Sequence, residues 1–193
     1  MDALEALLTR HTVPPAKMGP PGPDDAALGR ILEAGAAAPD HGQLRPWRFL
    51  VVRGAGLARL GDLFAACVLR HAPDASAAEI EKQRTAPSRA SVIVVVAARI
   101  DPTHPKIPEV EQIAAVAAAM QNMLLAAHAL GFAAKWATGK QAYDAGVKAG
   151  LGLGEDDRLL GFLYLGSYAA DHEAPPRGGV DGVVSEWPPP ATG

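Results

Sequence analysis
The sequence predicts a mixed fold of helices and strands in one domain, with about four strands and five or six helices. Three observations carry this. The chain has 193 residues, 49% of them hydrophobic, which is enough for one well-filled core. The runs Val92-Ile93-Val94-Val95-Val96 and Leu159-Leu160-Gly161-Phe162-Leu163-Tyr164-Leu165 are short and continuously apolar, as strands covered on both faces are. Two helices precede the first strand, so strict βαβ alternation is absent, and neither a repeat nor a second domain is evident.

The elements follow in order. Asp2 to Arg10 reads as a short helix with Leu4, Leu7 and Leu8 on one side, stopped by His11-Thr12-Val13-Pro14-Pro15. A Pro/Gly-rich loop spans Gly19 to Pro23. Asp24 can cap a helix running to about Ala37, with Leu28, Ile31, Leu32 and Gly35 at helical spacing and Pro39 as its stop. Trp47 to Val52 is strand-like and closes at Gly54. Leu57 to Leu69 is helical, and Ala75 to Arg84 reads as a polar, exposed helix. Ser91 to Ile100 holds the valine run, and Asp101 to Pro108 is a loop. A long helix runs from about Glu109 to Leu130 and ends at Gly131. Ala133 to Thr138 is a short strand leading into Gly139, Gln141 to Ala149 is helical, Gly150 to Gly154 is a turn, and Arg158 to Gly166 is the last strand. The tail from Ala174 is Pro/Gly-rich and aperiodic, and reads as an extended arm or one that wraps a partner subunit.

Several function classes drop out. A net charge of −3 without a basic stripe argues against nucleic acid. The single cysteine, Cys67, sits among Leu63, Phe64 and Val68, which excludes a disulfide framework and fits a small buried hydrophobe. Met1-Asp2-Ala3-Leu4-Glu5 lacks the basic start of a signal peptide, so a cytoplasmic location is expected. Ile113 to Leu130 approaches the length of a membrane span. Its alanines, with Gln121, Asn122 and His128, favour a buried helix instead. There is no GxGxxG after a strand and no phosphate-loop motif. His104, His128 and His172 lack metal-ligand spacing, and no serine sits in a nucleophile elbow, so neither a metal nor a hydrolytic triad is expected.

Three stretches carry binding chemistry. Arg10-His11-Thr12 at a helix end offers a guanidinium fork and a hydroxyl suited to phosphate, although an arginine there also simply complements the helix dipole. His41, Gln43 and Arg45 lie on a polar loop between a helix and a strand; their imidazole, amide and guanidinium suit the edge of a heterocycle. Trp136-Ala137-Thr138-Gly139 ends a strand where glycine permits close backbone approach.

In this order, these stretches resemble the FMN-dependent nitroreductase family, in its small branch. Further matches are Ala38-Pro39-Asp40-His41 with Pro46-Trp47-Arg48-Phe49, Met120-Gln121-Asn122-Met123, Gly161-Phe162-Leu163-Tyr164-Leu165-Gly166, and His104, Lys106, Pro108, Glu111 and Gln112. The resemblance covers residues 1 to about 168. It implies an α+β three-layer sandwich, a mostly antiparallel sheet flanked by helices, forming a homodimer with two FMN sites at the subunit interface. Arg10, His11 and Thr12 would hold the FMN phosphate. His41 would reach the FMN bound mainly by the other subunit. Gln43 and Arg45 would contact the ring or ribityl chain, and Trp136, Ala137 and Thr138 would line the ring. The implied activity passes hydride from NAD(P)H through flavin N5 to a small acceptor such as a nitroaromatic or quinone, with no acid or base side chain required. A flavin-binding or degenerate non-catalytic protein is the alternative. The chain departs from the family pattern at His11 (a second Arg), Arg45 (usually Gln), Ala37 (an Arg in the closest branch) and Gly42-Gln43. These departures bear on FMN affinity rather than fold.

Overall fold
The computed structural model describes residues 1–169, 174–176 and 178–187. His172 and part of the tail lie outside these residues, while 178–187 are exposed. In chain order the elements are α1 (Ala3–Thr9), β1 (Met18–Gly19), α2 (Asp25–Ala36), β2 (Trp47–Arg53), α3 (Ala55–His71), α4 (Ala77–Arg84), β3 (Val92–Ala98), α5 (Glu109–Ala129), β4 (Ala133–Ala137), α6 (Ala145–Gly150) and β5 (Arg158–Tyr168).

Helix starts are set by side chains that take up orphan backbone N–H groups. Asp2, Asp24, Ser76 and Asp144 each accept one as the N-cap of α1, α2, α4 and α6. Helix α5 ends as its sequence asks, with Gly131 at φ 82° donating its N–H to the His128 carbonyl.

All strand pairings are antiparallel. β5 is bonded along one side by β3 and along the other by β4; Leu163, for example, pairs with both Val94 and Trp136. The order across the sheet is therefore β4-β5-β3-β2, and β1 pairs with the far end of β5 at Ser167 and Tyr168.

β3 is buried along its whole length. Its alternate residues enter two separate cores. Ile93, Val95 and Ala97 pack with Leu60, Phe64 and Cys67 of α3 and Val147 of α6. Val92, Val94, Val96 and Ala98 pack with Leu28 and Ile31 of α2 and Val116, Met120 and Met123 of α5. Helices on both faces of an antiparallel sheet make an α+β sandwich of three layers. Helix α5 is long and apolar enough to cross a membrane by length and composition. Here it is the inner helix of one layer, with Val116, Ala119, Met120, Met123 and Ala127 wholly buried.

The leucines that share one side of α1 are exposed: Leu4 and Leu8 are 71% and 73% exposed, and Ala6 is the one residue of the helix that is buried. Two expectations are corrected. The helix expected over Gln141 to Ala149 is broken into a 3-10 turn at Lys140–Ala142 and α6, because the Asp144 carboxylate starts a new helix by accepting the Val147 N–H. The loop expected from Gly19 onward hides the short strand β1, which has no periodicity of its own to show.

Helix α3 approaches the end of α4 so closely that a Cβ at Gly61 would lie 2.0 Å from the Arg84 carbonyl oxygen. Gly61→Ala is expected to lower the unfolding free energy by about 1–3 kcal/mol, read as a reduced urea midpoint.

Candidate functional site
The candidate residues fall into two groups, one at each edge of the sheet. The first runs along β4. After α1 the chain crosses the open side of this strand, where the Val13 N–H bonds the Ala134 carbonyl at 3.1 Å. Backbone groups alternate along a strand, so Trp136 also turns its N–H and C=O to the open edge, while Lys135 and Ala137 face β5. Arg10, His11 and Thr12 precede that crossing. From Ala134 to Thr138 the strand covers about 13 Å. A cationic, hydroxyl-bearing cluster thus stands at one end of an open edge, and Trp136, Ala137 and Thr138 stand at the other.

The cluster has a defined surround. His11 donates from Nδ1 to the Thr9 carbonyl at 3.1 Å. The Thr9 hydroxyl gives its proton to the Glu5 carbonyl, so at 2.9 Å it accepts from His128 Nε2. Burial pushes the His128 imidazole below its usual range, and His11 and Arg10 nearby push it further the same way. Glu5 nearby acts the other way.

At the other end, β5 carries a bulge opposite Val96 and Ala97 that leaves Leu160 as the extra residue. The freed Leu160 carbonyl accepts the Trp136 indole N–H at 2.9 Å. Gly161, at φ 140°, makes room: a Cβ there would lie 2.7 Å from the indole nitrogen and 2.5 Å from the Ala137 carbonyl. Two cavities flank this strand end and share Trp136 and Thr138. One of about 510 Å³ includes Ile113, Tyr143 and Leu160; one of about 410 Å³ includes Phe64, Phe162 and Gly139. Both have the volume of small-molecule sites.

The second group lies before β2, three strand spacings or about 14 Å from β4. His41, Gln43 and Arg45 are exposed on a 3-10 turn and its continuation. Gln43 and Arg45 have φ of 56° and 48°, conformations that side chains rarely adopt and that cluster at functional sites. The Asp40 carboxylate holds the turn by accepting the Arg45 N–H at 2.6 Å. His41 Nδ1 meets Glu111 Oε2, in the first turn of α5, at 2.5 Å. Arg10 lies near His128 at the opposite end of α5, roughly 25 Å along the helix from Glu111. One chain therefore does not bring Arg10 and His41 together.

Other polar groups fix the surroundings of the site. Gln112, 2% exposed, accepts the Asp101 N–H and donates to the Asp101 and Ile107 carbonyls, which fixes the Asp101–Pro108 loop. His104 belongs to the same loop and accepts the Ile107 N–H at 2.9 Å. Asp144, beside the larger cavity, binds Arg70, His71 and the Val147 N–H. The Arg70 guanidinium, chiefly, holds its carboxyl down at about 2. Gln112 and His104 were visible in the sequence only as matches to the family pattern, and Asp144 only as a helix cap.

The model of the nitroreductase family matches residues 10–167. YdjA of Escherichia coli (strain K12), named as an NAD(P)H nitroreductase, is 36% identical over 86% of this chain and 88% of its own. Among solved structures, a nitroreductase-like family protein from Bacillus cereus superposes with a TM-score of 0.81 at 22% identity, covering 96% of both chains. A protein from Desulfovibrio desulfuricans, described as a nitroreductase in complex with FMN, superposes with a TM-score of 0.72 at 26% identity over 97% of both.

Asp144 yields a pH prediction. Its carboxyl has a folded value of about 2 against an ordinary 3.8. A depressed acid stabilises above its unfolded pKa, and that stability is lost as pH falls through the folded one. Asp144→Asn is expected to cost about 2 kcal/mol at neutral pH. The gap to the unmutated protein should close as pH falls from about 4 toward 2 in urea titrations.

Proposed function
As this chain belongs to the nitroreductase family and is an oxidoreductase, we propose that it binds FMN along the open edge of β4 and oxidises NAD(P)H, reducing a small acceptor such as a nitroaromatic or quinone. The donor set fits the cofactor. Arg10 supplies a permanently charged fork for the phosphate, Thr12 a hydroxyl, and His11 an imidazole. Trp136, Ala137 and Thr138 supply an apolar surface and backbone polar groups farther along the same strand edge that Val13 reaches at Ala134.

The observation that carries the reading is the separation of the two groups. Arg10 to Thr12 and Trp136 to Thr138 share one sheet edge, while His41, Gln43 and Arg45 sit at the other. All of them contact one cofactor when two copies of the chain pair, the β4 edge of one meeting the turn before β2 of the other. The exposed Leu4, Leu7 and Leu8 give such a homodimer apolar surface to bury.

Bound FMN supplies the hydride chemistry between nicotinamide and acceptor. The chain positions and polarises: Arg10 fixes the phosphate, the open-edge backbone of β4 offers hydrogen bonds to the ring, and Arg45 places positive charge where reduction builds negative charge. The open cavities beside Trp136 give the acceptor room next to the ring. No side chain is assigned a proton-transfer role.

The purified protein should be yellow, and NADH or NADPH should bleach it without oxygen. A yellow protein that neither nicotinamide bleaches would instead be a flavin binder; a colourless one that takes up no added FMN contradicts the proposal. Arg10→Ala should weaken FMN about 10- to 100-fold, followed by quenching of flavin fluorescence.

A further inference from the structure
We infer that Glu111 is a positioning residue for the cofactor: by gripping His41 at Nδ1, it fixes the imidazole so that Nε2 is presented to the FMN of a neighbouring copy. The inference rests on the proposed function and adds to it a residue with no assigned role.

Three observations carry it. First, the contact is specific and long-range. Glu111 Oε2 and His41 Nδ1 are 2.5 Å apart, although the residues are 70 positions apart in the chain. A carboxylate only accepts, so Nδ1 carries the hydrogen. That sets the tautomer and leaves Nε2 as the outward-facing nitrogen, where it makes no hydrogen bond among the described residues.

Second, the pair is poorly placed to support the fold. Its side chains are 60% and 45% exposed, and ion pairs in such surroundings contribute little to stability. What it can do is restrict one rotamer of one side chain.

Third, both partners sit on structure that is held elsewhere. Gly42, Gln43 and Arg45 have φ of 70°, 56° and 48°. That turn is braced by Asp40 on one side and by Ile107 beneath Gly42 on the other. On α5, Glu109 binds Arg158 and Gln112 anchors the preceding loop, so the first turn carrying Glu111 is rigid. An exposed imidazole held by a carboxylate on a rigid helix, in a strained turn, is prepared to meet something outside its own chain.

The chemistry at Nε2 suits FMN. With the imidazole neutral, Nε2 accepts from a ribityl hydroxyl. With the imidazole protonated against Glu111, it donates to a ring oxygen or nitrogen and adds positive charge.

The test is a double-mutant cycle on the purified full-length chain, stripped of flavin and titrated with FMN by fluorescence quenching. Glu111→Gln keeps the shape but loses the charge, and should weaken FMN about threefold to tenfold. His41→Asn should weaken it at least as much. In the His41→Asn background, Glu111→Gln should add less than about twofold, because its effect passes through His41. Nitrogen chemical shifts of His41 in the flavin-free protein should report Nδ1–H, and lose that preference in Glu111→Ala, where no side-chain acceptor remains. Equal losses from Glu111→Gln in both backgrounds, or an unchanged tautomer, overturn the assignment while FMN binding itself stands. An unmutated chain that takes up no FMN overturns the proposed function and this inference together.

Discussion
Strand β3 is covered on both faces, and the rest of the molecule is arranged to satisfy that demand. Its seven residues are all buried and feed two cores alternately. A strand with no solvent face must sit inside a sheet and under helices on either side. β5 and β2 therefore flank it, α3 and α6 close one face, and α2 and α5 close the other. The antiparallel pairing then gathers Trp47, Ala98, Arg158 and Ala137 toward one end of the sheet. Binding chemistry is left with the positions that this packing does not consume: the sheet end and the two outer edges.

Helix α5 connects those positions. Its C-terminal end meets the Arg10–His11 cluster through His128, and its first turn meets three separate segments: Arg158 through Glu109, the His41 turn through Glu111, and the Asp101–Pro108 loop through Gln112. A rigid rod with polar ends and a buried apolar middle keeps the two candidate groups at a fixed separation. That separation makes pairing of two chains a functional requirement of the proposal rather than an ornament. Under that proposal the same pairing would cover the apolar side chains exposed on α1.

The sequence revealed most where one signal dominates. The unbroken valines of β3 could hardly be anything but a doubly covered strand. Helix α5, with Gly131 at its end, and α2, capped by Asp24, were legible for the same reason. At α1 periodicity put the leucines on one side but did not say what that side meets, because a leucine stripe reads the same whether it faces a core or solvent. It failed at residues 140–150, where one aspartate divides what hydrophobicity joins. The candidate side chains were found as residue types in order, through resemblance. Their distribution over two edges was not readable, since it depends on the strand order β4-β5-β3-β2. The Glu111–His41 contact was likewise hidden, because no local pattern relates a helix start to a turn so far away in the chain. The left-handed Gln43 and Arg45 carry no glycine to announce them.

In the proposed assembly one cofactor is held by two chains. Subunit complementation measures this directly. A variant carrying Arg10→Ala and another carrying His41→Ala are each prepared without flavin, then mixed, unfolded gently and reassociated. If two copies share each site, a hybrid pair contains one site with both residues intact, and the mixture should regain tight FMN binding at up to half a site per hybrid chain, which neither variant shows alone. A mixture that binds FMN no better than the average of its two parents would mean each chain builds its site by itself, and would contradict the account.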